Sequence, residues 1–171
     1  MKTNENKYSS LMTKAEKLIG NNKLEKALPL IEEAITLLSK RWEAYVMLGN
    51  YYGNKGDYET AIQWNKTALV KFPGAAIAHF NIAQSLLRMG NKEDGMNNLK
   101  MCVNLDPTIK EAYRMLKYEL INEGHQDAYG YLIEAIGHHP DDGVINFLLA
   151  TKLITNREEL GVKLTNEVLK Y

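Results

Sequence analysis

The sequence predicts an all-α protein built from a repeated helix–turn–helix unit. Three observations predict it. Residues 42–75 carry two amphipathic patterns on either side of a tight turn at Gly56-Asp57. The same pattern returns 34 residues later and is present 34 residues earlier. Small residues keep the register: Ala15, Gly49 and Ala83 form one set, Ala27, Ala61 and Gly95 a second, Ala34, Ala68 and Cys102 a third. Two helices approach closely only where one of them offers a small side chain.

In the central unit the first helix runs roughly from Trp42 to Lys55, with Tyr45, Leu48, Gly49 and Tyr52 on one face. Gly56 can take the left-handed conformation that ends a helix, and Asp57 is a good N-cap for the next. The second helix carries Ala61, Ile62, Ala68 and Leu69 inward and stops before Pro73. The 34-residue period, Tyr45-x-x-Leu48-Gly49-x-x-Tyr52, Ala61, Ala68 and Pro73 together resemble the tetratricopeptide repeat family. Asn65 departs from that pattern, which prefers an aromatic or large apolar residue there. The resemblance covers nearly the whole chain. It implies a right-handed α-solenoid of about five repeats, at about 8–41, 42–75, 76–109, 110–142 and 143–171.

The remaining elements follow in order. Residues 1–7 are polar and are expected to be a disordered N-terminus. The first repeat places helices at about Ser9 to Gly20 and Leu24 to Leu38, with Asn21-Asn22 as the turn. Pro29 is read as lying near the start of the second of these, where a missing N–H costs least. The third repeat places helices near Ala75 to Met89 and Lys92 to Asn104, with His79 as a packed core histidine. In the fourth, Tyr113, Leu116 and Leu120 repeat the first-helix face. Ala128, Ala135 and Pro140 recover the register if one residue is missing from the turn near Gly124-His125. The fifth begins at Gly143, with Asn146, Leu149, Ala150 and Leu153 on its first helix and a last helix from Glu158 to Lys170.

Composition narrows the function. The chain has 171 residues, 45% hydrophobic and 25% charged, as a folded chain does. Lysine plus arginine equals aspartate plus glutamate at 21 each. A zero formal charge argues against a nucleic-acid backbone or an anionic membrane as main partner, because both demand basic excess. The run MKTNENKYSSLMTK has no apolar segment of the kind a secretory signal needs. Cys102 occupies a small-residue site, which reads as a buried inert thiol. A cytoplasmic location fits these features.

Nothing in the sequence supports catalysis. His138-His139-Pro140-Asp141-Asp142 is the one cluster with metal-like residue types, but adjacent histidines on an extended segment point apart. The cluster falls on a turn between repeats, where a histidine caps a helix end. No phosphate loop and no partnered nucleophile is recognisable, so neither an enzyme nor a cofactor is expected.

In the family resembled, first helices of successive repeats line a concave groove. Carried onto this sequence, one column reads Met12, Val46, Phe80, Arg114, Phe147. The next reads Glu16, Asn50, Gln84, Tyr118, Thr151, and the third Ile19, Gly53, Leu87, Ile121, Ile154. Asn54, Asn81, Arg88 and Asn122 flank them. Amides between apolar columns suit a peptide, since they donate to and accept from its backbone. Some relatives clamp a terminal carboxylate with three cations, but Val46, Glu111 and Met115 stand at those positions, so that clamp is rejected. The reading is a non-enzymatic scaffold that binds a protein or peptide partner in the groove, with no nucleic acid and no membrane insertion. The alternatives are a chaperone of secretion substrates and a self-assembling scaffold whose end repeats join copies into a homo-oligomer.

Overall fold

The computed structural model describes residues 2–122 and 128–143. Among these residues there are eight helices and no strand. They are α1 (Lys2–Gly20), α2 (Leu24–Leu37), α3 (Trp42–Lys55), α4 (Tyr58–Lys71), α5 (Ala76–Arg88), α6 (Lys92–Leu105), α7 (Lys110–Asn122) and α8 (Ala128–His138). The chain divides into two compact units, residues 1–106 and 107–171. The first unit holds α1–α6 and the second holds α7 and α8. The turn near Gly124-His125 and the helices expected after Gly143 lie outside the described residues.

The first unit is built as the repeat requires. α1 packs on α2, α3 on α4 and α5 on α6, and each pair contacts the next through α2 on α3 and α4 on α5. The first helices also meet directly, α1 with α3 and α3 with α5. The turns share one device. Asn22, Gly56 and Gly90, spaced by the period, take φ values of 56°, 83° and 82°. Glycine reaches this left-handed region without steric cost, and asparagine is among the few other residues that tolerate it. After Gly56 and Gly90 the next helix is capped, Asp57 accepting from the Thr60 amide at 3.1 Å and Asn91 from the Asp94 amide at 3.4 Å, whereas Lys23 before α2 makes no side-chain cap.

The three small-residue sets are the seams between helices. Ala15, Ala27, Ala34, Ala61, Ala68, Ala83 and Cys102 are all at most 1% exposed, and Gly49 and Gly95 are buried with them. Larger residues fill the space between: Ile31, Leu48 and Tyr51 in one cluster, Tyr45 and Val46 against Ala68, Ala75 and Ala78 in another. Burial, with the Asp106 carboxylate adding to it, pushes the Cys102 thiol up to about 12.

Two expectations are corrected. α1 begins at Lys2 rather than near Ser9, so residues 2–7 are helical. Tyr8 (3% exposed) and Leu11 pack against Ala34 and Ala44 and anchor that end. Glu5 then reaches Arg41 at 3.2 Å and Lys7 reaches Glu33 at 2.7 Å. Pro29 is the sixth residue of α2, past the four positions whose N–H groups have no helical partner. It therefore removes one hydrogen bond, the one the Glu25 carbonyl would accept.

Candidate functional site

The candidate site lies on the solvent-facing sides of α1, α3 and α5. Glu16, Asn50, Asn54, Gln84 and Arg88 are exposed, and Met12, Phe80, Asn81 and Leu87 are half-buried. Val46 is not part of an open surface. It is 8% exposed and packs with Tyr45, Ala68, Ala75 and Ala78. Met12 packs on the Tyr8 cluster, and Leu87 covers Gly95, whose missing Cβ would sit 2.8 Å from Leu87 Cδ2. Ile19 is in the core beside Ala15 and Ala27.

The amides have defined orientations. Asn54 donates its NH2 group to Asn50 twice, to the backbone carbonyl at 2.8 Å and to Oδ1 at 2.7 Å. That fixes Asn50 with its oxygen occupied and its NH2 group without a partner among the described residues. Asn65 is fully buried and donates to the Ala61 carbonyl at 2.9 Å, so its oxygen faces the other way. Asn81 donates to that oxygen at 3.4 Å, which leaves Asn81 Oδ1 as an acceptor. Asn50 on α3 thus offers a donor and Asn81 on α5 an acceptor. A peptide unit carries one group of each kind.

Asn65 departs from the repeat pattern, and the structure gives its reason. A Cβ on Gly49 would lie 2.1 Å from Asn65 Nδ2. Asn65 fills the space that glycine leaves and makes two hydrogen bonds there. The sequence signal was available: a glycine in the first helix facing a polar residue in the second. Ile77 was also missed. It is 37% exposed, three residues before Phe80 on α5.

His79 is half-buried rather than a fully packed core residue. Its Nδ1 meets Asn98 Oδ1 at 3.0 Å, while Asn98 Nδ2 donates to the Asp94 carbonyl at 2.9 Å. With that amide orientation, the proton lies on Nδ1. In the second unit, Arg114 pairs with the Asp142 carboxylate, whose side chain is 5% exposed. Arg114 is thus tied down within its own unit. His139 Nε2 donates to the Pro107 carbonyl at 2.9 Å, and its ring meets Tyr113 edge-on at 5.9 Å. The histidine–aspartate cluster therefore fastens a turn. Tyr118 and Asn122 fall on α7, and Phe147, Thr151 and Ile154 lie outside the described residues.

The tetratricopeptide repeat pattern matches residues 43–69 and 76–109, which include the α3–α4 and α5–α6 hairpins. The chain carries tetratricopeptide repeats. Their structural likeness extends further than the sequence match. TTC0263, a thermophilic TPR protein of Thermus thermophilus, is 19% identical and superposes with a TM-score of 0.70, covering 86% of this chain and 81% of that one. YrrB, a TPR protein with an unusual peptide-binding site, is 22% identical with a TM-score of 0.63, covering 86% and 76%. An O-GlcNAc transferase of Thermobaculum terrenum is 21% identical with a TM-score of 0.67. That likeness covers 79% of this chain but only 26% of the transferase. No curated protein matches the sequence. The tetratricopeptide solenoid is an interaction fold, and the likenesses extend to the fold alone.

Proposed function

We propose that this tetratricopeptide repeat chain is a non-enzymatic interaction module that holds a peptide segment of a partner protein across α1, α3 and α5. The observation that carries the reading is the complementary amide pair, the Asn50 NH2 group and the Asn81 oxygen. A bound peptide backbone satisfies both, and neither then stays unpaired on desolvation. Half-buried Phe80 beside them supplies apolar contact.

The test is calorimetry with peptides selected from a random dodecapeptide display library. Asn50→Ala and Asn81→Ala should each weaken binding by about 1–2 kcal/mol. Asn81→Ala also removes the contact to Asn65, so its melting temperature is measured alongside. Lys66→Ala, exposed on α4, is the control. Asn98 is unsuitable as a control because it holds His79. Binding lost on Lys66→Ala and kept on Asn50→Ala would place the partner on the second helices and end this reading. Light scattering separates it from the self-assembling alternative, which requires a mass above that of one chain.

A further inference from the structure

We propose that the occupant of this face is a linear peptide segment with one apolar side chain and one acidic side chain, Asp or Glu, about five residues apart. This rests on the peptide-binding reading above and adds the chemistry and register. α5 presents Ile77, Phe80, Asn81 and Arg88 along one stripe, at i, i+3, i+4 and i+11. Its opposite side sends Ala78, Ile82, Ala83 and Ser85 into the core. The stripe is apolar at one end, where Ile77 stands 37% exposed beside half-buried Phe80.

The other end is a lone cation. Arg88 is exposed and makes no ion pair or side-chain hydrogen bond among the described residues. A cation in the last turn suits the helix dipole, which accounts for its charge. It does not account for the missing carboxylate. Gln84 and Ser85 stand one turn before it, and α5 ends at Arg88 itself. The guanidinium is therefore open to an acceptor from outside, and it binds a carboxylate with two parallel hydrogen bonds. From Ile77 to Arg88 the rise along α5 is about 16 Å. An extended chain covers that in about five residues. Asn81, between the two ends, meets the backbone of the same segment.

The test uses dodecapeptides selected by display against the full chain, then synthesised with amidated C-termini and titrated by fluorescence polarisation. Amidation removes the terminal carboxylate as a source of charge. Selected peptides should share an apolar residue and an Asp or Glu at the stated spacing. Replacing that acid by its amide, or Arg88→Glu in the protein, should weaken binding about fivefold. A peptide with Lys in place of the acid should regain affinity for Arg88→Glu. Ile77→Ser should relax the apolar preference, with melting temperatures measured for every variant. Loss of affinity on Asn50→Ala with none on Arg88→Glu, or binding only by peptides with free C-termini, would overturn this assignment and keep the peptide-binding reading. No selectable peptide, or indifference to both substitutions, would overturn both.

Discussion

Gly49 and Asn65 occupy each other's space. A methyl group on Gly49 would lie 2.1 Å from Asn65 Nδ2 and 3.0 Å from the Ala61 carbonyl oxygen. The side chain cannot simply swing away, because its amide is held by Ala61 and Asn81. The first and second helices of this repeat are therefore fitted around one polar side chain.

Gly49→Ala should destabilise the chain by about 1–3 kcal/mol through overpacking, despite the better helix propensity of alanine. Asn65→Ala should also destabilise. The double substitution should cost less than the sum, since the small residue at 65 makes room for the methyl. Urea denaturation of the two single variants and the double gives the coupling. Strict additivity would mean the two sites do not press on each other.

Pro29→Ala should stabilise. The helix regains the bond from residue 29 to the Glu25 carbonyl and loses the ring clash, against a smaller gain in unfolded-state entropy. A rise of about 1–3 kcal/mol is expected. A lower melting temperature would show that α2 depends on the proline.

Arg114→Ala should destabilise the second unit by about 1–2 kcal/mol, because the Asp142 carboxylate is nearly buried and loses a charged partner. The value stays modest because the Arg114 side chain is 38% exposed. Asp142→Asn made alongside, and in combination, separates this pair from general damage. If the double variant costs the sum of the two, the pair contributes nothing.

Alkaline pH should weaken the fold in a defined window. Burial, with the Glu43 carboxylate assisting, pushes the Tyr8 hydroxyl from 10.0 up to about 12. Burial pushes the Cys102 thiol from 9.0 up to about 12. The unfolded chain therefore releases these protons first. Their stabilising effect is complete below pH 9 and is lost as pH rises from there to about 12. Denaturation at several pH values should show the decline. Cys102→Ala, which repeats the Ala34 and Ala68 solution, should move its onset toward 10. An unmoved onset would remove Cys102 from the account.

The repeat was legible because its causes are local and periodic. Small side chains at Ala15, Gly49, Ala83 and their partners must recur wherever two helices touch, so the seams could be placed from sequence. α3 has the expected bounds for the same reason: Gly56 and Asp57 end one helix and start the next within two residues. What escaped depends on contacts between distant residues. The helical start at Lys2 rests on Tyr8 reaching Ala34 and Ala44. The burial of Val46 rests on α4 and α5. Arg114 reads from sequence as a groove residue, and the Asp142 carboxylate that holds it lies 28 residues away. The amide orientations of Asn50 and Asn81 require the side-chain network itself.

Cys102 has one more consequence. It is the single thiol in the chain and is 0% exposed at the α5–α6 seam. A reagent added from outside can reach it only when that hairpin opens or the whole chain unfolds. Its labelling rate is then a clock for local opening, carried by the native sequence. Run with and without a selected peptide, the clock reports whether occupancy of α5 holds its hairpin shut.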